Sequence, residues 1–249
     1  MNQGQENIAV ILAAGKGTRM KADLPKVLFP VGDQTMIEHV IGAVEQAGFT
    51  RSIAVIGFKH EQVRDALGGD RIDFALQEEQ LGTGHAVMQA APQLEGEAGV
   101  TVVLAGDVPL IRSETLSRLV EGHRQAAAAI TILTAILPDA TGYGRILRDE
   151  QGSVVAIREH KDCTPEQLEI KEINSAIYAF DTPFLLSCLP RLGQNNTQNE
   201  YYLTDAVSMA VEGGLKVEGV IVEDFQEVSG VNTTDQLAEM EEALRRRHS

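Results

Sequence analysis

From Ile8 to Ala14 the chain is apolar without a break, β-branched near its start and bounded by Gly15. Such a run predicts a central strand covered on both faces, since a strand with one wet face would alternate. Met36, Ile37, Val40, Ile41 and Val44 then recur at helical spacing, with Gly48 as the stop. Ile53 to Gly57 reads as a short buried strand, Glu61 to Leu67 as an amphipathic helix and Ile72 to Leu76 as a further strand. The alternation β, α, β, α, β implies parallel strands joined by crossover helices. A helix from about His85 to Ala91, stopped by Pro92, leads to a strand over Val100 to Leu104. Ser113 to Gln125 follows as a helix with Ser113 as its cap, and Ala129 to Leu137 returns to strand.

The pattern changes after Gly142. Tyr143 to Leu147, Val154 to Glu159 and Ile173 to Phe180 have strand composition, broken by a turn at Gln151-Gly152 and a short helix start at Thr164-Pro165. Strands without long helices between them predict antiparallel additions that wall off the second half of a pocket. Pro183 to Leu189 and Leu203 to Val211 read as helices, and Val217 to Val222 as a late strand. At the end, Thr233 and Gln236 fit a capping box, Leu237, Met240 and Leu244 share one face, and Arg245 to Arg247 suit a helix carboxyl end. This predicts one exposed terminal helix. The expected fold class is α/β, with a mostly parallel central sheet and added antiparallel strands.

Gly15 opens a loop that carries Lys16, Gly17, Arg19, Lys21 and Lys26. Two glycines let the backbone approach a ligand and aim N–H groups at an anion. It is neither of the two commonest phosphate loops: Met20 stands where a dinucleotide fingerprint needs its third glycine, and Lys16 is followed by Gly17 where a Walker loop needs Ser or Thr. The loop stands out against a formal net charge of −15 over 249 residues. That balance excludes a phosphodiester backbone as main partner and favours a small polyanion held locally. Two cysteines, Cys163 and Cys188, fit a reducing cytoplasm, and no stretch reaches membrane-spanning length.

Ligands in parallel sheets gather at the carboxyl ends of strands, which selects three loops: Gly15 to Lys26, Gln77 to Gly84 and Ala105 to Pro109. Asp107, after Gly106, is placed to hold Mg²⁺ beside a nucleotide, or to cap the turn before Pro109. Asn232 reads as a weak metal ligand or as the cap of the last helix. Lys26 lies between Pro25 and Pro30 in what reads as a rigid extended segment, either a positioned charge or a solvated one. Gln77 can match the imide edge of a pyrimidine or face water. Gly82 and Gly84 flank Thr83 as a seat for a flat base or as a simple helix entry. Glu159 and Asn174 would bind sugar hydroxyls if buried, and lie on the surface otherwise.

LAAGKGTRM followed by PKVLFPVGDQTMIEHV resembles the sugar-nucleotide pyrophosphorylases. With LQEEQLGTGHAV, LAGDVPL, TGYGRI, IREHKD, EINSAIYAF, NEYYLTD and EVSGVN in order, the chain is similar to the uridyltransferase half of the bifunctional bacterial enzymes that make UDP-N-acetylglucosamine. The resemblance implies the Rossmann-like fold of nucleotide-diphospho-sugar transferases, with a nucleotide half over about 6–110, a sugar half over about 111–232 and a terminal helix over 233–249. It implies transfer of the uridylyl group of UTP to N-acetylglucosamine 1-phosphate in the cytoplasm, releasing pyrophosphate, for peptidoglycan and lipopolysaccharide precursors. Leu12, Ala13, Ala14 and Gly15 would line the nucleotide site, with Gln77, Gly82 and Thr83 at the uracil and Gly106 beside them. Arg19 and Lys26 would face the phosphates as catalytic residues, and Asp107 and Asn232 would hold Mg²⁺. Gly144, Glu159 and Asn174 would contact the sugar. Ala105 stands where some relatives carry an aromatic ring. No β-helix repeat follows, so acetyl transfer is not expected, and the family's trimeric state does not carry over. A different sugar or nucleotide, or a non-catalytic nucleotide sensor, are the alternative readings.

Overall fold

In the computed structural model, which describes residues 6–17, 20, 23–68 and 71–247, the apolar opening run is the axis of the sheet. The chain begins with β1 (Asn7–Ala13), the hairpin strands β2 (Pro30–Val31) and β3 (Gln34–Thr35), α1 (Met36–Gln46), β4 (Arg51–Ile56) and α2 (His60–Leu67). It continues through β5 (Ile72–Leu76), α3 (Thr83–Leu94), β6 (Val100–Ala105), α4 (Ser113–Ala126) and β7 (Ile130–Ile136). Then come β8 (Arg145–Arg148), β9 (Val154–Arg158), α5 (Pro165–Leu168), β10 (Glu172–Asp181) and α6 (Thr182–Cys188). α7 (Asp205–Glu212), β11 (Val217–Ile221) and α8 (Thr234–Arg247) complete it.

The strand order is β11-β7-β10-β6-β1-β4-β5. β1 pairs in parallel with β4 and β6, β4 with β5, and β11 with β7. β10 enters antiparallel between β6 and β7, and the β8–β9 ribbon hangs from its start. This is the expected α/β class with antiparallel additions. One sheet runs through both expected halves, because β10 is inserted between strands of each.

The unbroken apolar pattern of β1 follows from burial on both sides. Ala9, Ile11 and Ala13 pack with Val40 and Val44 of α1 and with Leu116 and Leu119 of α4. Ile8 and Val10 face the other way, into a cluster holding Val87 of α3, Leu185 of α6 and Val207 of α7. α1 is closed at its start by a capping box in which the Thr35 side chain accepts from Glu38 N–H and the Glu38 carboxylate accepts from Thr35.

Several local expectations give way to tertiary forces. α3 starts at Thr83 and runs through Pro92 to Leu94. Pro92 has no N–H to donate, so this last turn forgoes one helical bond. Fully buried Leu94 and the Gln93 side chain, which donates to Phe74 O at 3.0 Å, hold the turn in place. Ser113 does not cap α4. The buried Glu227 carboxylate instead accepts from Arg112 N–H at 3.3 Å and from Thr115 Oγ1 at 2.6 Å. Lys26 lies in a 3₁₀ turn, Lys26–Leu28, and not in an extended segment. The terminal helix is not free-standing: Met240 and Ala243 bury against Met20, Val31, Met36, Leu110 and Val231 in a third, separate cluster.

Candidate functional site

β1, β6, β7 and β11 all point their carboxyl ends at one edge of the sheet, and antiparallel β10 brings its amino end there. Gly106 N–H donates to Leu12 O at 2.9 Å, fixing the loop after β6 against the end of β1. Asp107 follows. Its backbone carbonyl accepts from Val231 N–H at 3.1 Å, which draws the segment before α8 alongside. Lys26 completes the group: its ammonium pairs with Asp107 Oδ2 and donates to Asn232 Oδ1 at 2.8 Å. Three remote segments therefore meet on one cation.

Among the described residues, neither Asp107 nor Asn232 is used as a simple cap. The Asp107 carboxylate is spent on Lys26, and Thr233, whose Oγ1 accepts from Gln236 N–H at 3.2 Å, caps α8 in place of Asn232. The pair fits a hard divalent cation, since a carboxylate and an amide oxygen already converge on a positive charge. With one carboxylate, phosphate and water would supply the remaining ligands, as Mg²⁺ prefers. No cluster of three or more His, Cys, Asp or Glu suited to a metal occurs among the described residues.

Asp107 and Asn232 form one wall of a cavity of about 250 Å³ whose lining also includes Leu12, Thr83, Gly144, Glu159 and Asn174. Asn174 is buried at 6% exposure, its N–H donating to Gly144 O at 2.9 Å. Glu159 Oε1 accepts from Thr204 Oγ1 at 3.3 Å. Burial pushes the Glu159 carboxyl above its ordinary range; the Thr204 bond opposes this, while Asp162, Asp205 and Glu200 add to it. Tyr143, on the same lining, is raised by burial and then by Asp107.

Gln77 is buried at 3% exposure and does not line this cavity, although Thr83 of the same loop does. Gly82 O can only accept, so the amide atom 3.2 Å from it is Nε2, which also lies 3.1 Å from His85 Nδ1. Oε1 takes no hydrogen bond among the described residues. Gly82 has φ +110°, and a Cβ there would lie 2.6 Å from Tyr201 O. At Gly84 a Cβ would lie 2.7 Å from Leu192 Cδ1 and 2.9 Å from Tyr201 O, so close packing accounts for both glycines. Ala13 and Ala14 are buried, Gly15 is exposed, and Arg19 lies outside the described residues.

The sequence matches the nucleotidyl transferase family over residues 8–244. The chain belongs to that family. Among nucleotidyl transferase relatives, the "bifunctional protein GlmU" of Exiguobacterium sp. is 48% identical over 242 residues, covering 97% of this chain and 53% of that protein. The protein of the same name from Clostridium novyi is 51% identical over 239 residues, covering 96% of this chain and 52% of its own. The chain thus spans about half the length of the curated relatives it matches. A solved Bacillus anthracis structure, named "putative glucose-1-phosphate thymidylyltransferase", superposes with a TM-score of 0.77 at 20% identity, covering 96% and 95% of the two chains. That likeness shows a shared nucleotidyl transferase fold.

Within this nucleotidyl transferase cavity, sequence reasoning passed over Tyr143, Ala176, Tyr178 and Thr204. Tyr143 and Thr204 lie in TGYGRI and NEYYLTD, whose composition gives no sign of which side chain turns inward. Ala176 is betrayed only by its backbone, at φ +61° in a bulge of β10 between Asn174 and Ile177.

Proposed function

We propose that this nucleotidyl transferase joins UTP and N-acetylglucosamine 1-phosphate, giving UDP-N-acetylglucosamine and pyrophosphate. The observation that carries this reading is the convergence of Lys26, Asp107 and Asn232 at a cavity lined by Glu159 and Asn174. Gln77 Oε1 would accept from the uracil N3–H, with Leu12, Ala13, Gly82 and Thr83 around the base and Gly106 below it. Ala14, Gly15 and the Arg19 loop would run along the polyphosphate. In this reading 6–110 serves the nucleotide and 111–232 the sugar.

A phosphate oxygen of the sugar phosphate forms the new bond to the α-phosphorus while the bond to the leaving pyrophosphate breaks in line. Both phosphates are already ionised near neutral pH, so no protein nucleophile or general base is needed, and positioning with charge compensation suffices. Lys26 would offset charge on the reacting phosphates. Mg²⁺ on Asp107 and Asn232 would supply further neutralisation of phosphate oxygens. Glu159, Asn174 and Gly144 would seat the sugar. We place the reaction in the cytoplasm, in the supply of precursors for peptidoglycan and lipopolysaccharide; among the described residues no helix is long and apolar enough to cross a membrane.

Pyrophosphate release with UTP and Mg²⁺, compared across N-acetylglucosamine, glucosamine and glucose 1-phosphates, tests reaction and acceptor together. N-acetylglucosamine 1-phosphate is expected to be the preferred acceptor. Preference for another sugar or nucleotide would replace the substrate assignment, and UTP binding without product would indicate a sensor. Asp107→Ala should lower turnover on the order of 10²-fold; near-native metal-dependent turnover would remove the metal assignment.

A further inference from the structure

Tyr178 sits on β10 at 3% exposure and lines the cavity beside Asn174. The hydrogen bonds around it leave one donor unspent. Ala176 N–H can only donate, so the Asn174 amide atom 3.0 Å away is Oδ1. The other end of that amide is then Nδ2, which donates to the Tyr178 hydroxyl at 2.6 Å. The hydroxyl oxygen therefore accepts and still has its own proton to give. Among the described residues nothing accepts that proton. A buried hydroxyl without an acceptor is costly, and the open direction is the cavity it lines.

Glu159 presents the complementary vacancy in hydrogen bonding. Thr204 donates to its Oε1, and no described residue donates to Oε2. Burial raises the Tyr178 phenol, and the nearby Glu159 carboxylate raises it further, so the tyrosine stays a neutral donor. The cavity thus sets a fixed donor near a fixed acceptor. Sugar hydroxyls can play either part and do not require such a pair. An amide does, because its carbonyl only accepts and its N–H only donates.

Resting on the proposed sugar substrate, we infer that Tyr178 is a specificity-determining residue whose hydroxyl donates to the acyl carbonyl of the 2-acetamido group. Calorimetry with UDP-N-acetylglucosamine, UDP-glucose and UDP tests it. Tyr178→Phe should weaken UDP-N-acetylglucosamine on the order of tenfold and leave UDP-glucose and UDP unchanged. Equal weakening of both nucleotide sugars, or of neither, overturns it. Repeating the substitution in an Asn174→Ala background separates direct contact from mere support of Asn174: the loss should persist there, and its disappearance overturns the inference. If the phenylalanine variant does not fold, the ligand side carries the test. The N-thioacetyl analogue, a poorer acceptor of similar shape, should bind the unaltered protein several-fold more weakly, and equal binding overturns the inference. Normal turnover of N-acetylglucosamine 1-phosphate with no Tyr178 effect would sink this inference alone, whereas absence of that turnover would sink the proposed function.

Discussion

Gly17 has φ +61°, and a Cβ there would lie 2.7 Å from Lys26 Cβ. The glycine lets the lysine stem pass on its way to Asp107. Gly17→Ala should therefore cost about 1–2 kcal/mol of stability and at least about tenfold in turnover, read by urea unfolding and pyrophosphate release. Ala176, at φ +61°, is the reverse case. Ala176→Gly should raise stability by about 0.5–1 kcal/mol, since relief of left-handed strain outweighs the entropy glycine loses on folding. At Glu159, burial raises the folded-state value above the unfolded one, so the folded chain binds more protons between the two. Stability attributable to this group is then lost as pH rises from the ordinary carboxylate range through the raised value. Glu159→Gln should gain stability relative to the unaltered protein across that window, as urea midpoints at successive pH values would report. Of these residues, the sequence exposed the glycine loop readily, whereas Lys26 reads as either a positioned or a solvated charge in an extended segment and occupies a 3₁₀ turn instead. Asp107 and Asn232 each resembled a helix or turn cap, because their meeting depends on long-range contacts: the bond from Val231 N–H to Asp107 O and the Lys26 ammonium held between the two side chains.

Elements were legible where a face is buried and obscure where one tertiary contact decides a boundary. α1 followed from its spacing, and β1 from an apolar run that both sheet faces require. Pro92 and Ser113 misled because Leu94 and Glu227, remote in effect from any local rule, hold those helix ends. α8 matters beyond its own stability. Its Met240, 5% exposed, shares a small cluster with Val231, one residue before Asn232, and with Met20, which follows the glycine-rich stretch. Met240→Ala should cost about 2–4 kcal/mol from lost burial and the cavity left behind. It should also raise the KM for UTP, the proposed substrate, because Asn232 adjoins that cluster through Val231. Calorimetric melting and steady-state kinetics would separate the two effects, and an unchanged KM would confine α8 to a structural part.

At the scale of the whole molecule, the parallel core could be inferred from alternating strands and helices, whereas the insertion of β10 between β6 and β7 could not. Composition alone does not tell which long-range neighbours a strand of all-round apolar character will choose. That insertion ties the two expected halves into one hydrogen-bonded sheet, so they should unfold together. The two cysteines offer a probe. Cys188 ends α6, has no exposed surface, donates to Leu185 O at 3.2 Å and is pushed up to about 11 by burial. Cys163 is partly exposed, its thiol raised by a milder burial. A thiol reagent at neutral pH should label Cys163 in the folded protein and reach Cys188 only through opening of the core that α6 and α7 share with the sheet. The free energy of opening drawn from Cys188 labelling should equal that from urea unfolding. A much smaller value would mean that the α6–α7 side opens while the β1 side stays folded, and the two halves would then be separable after all.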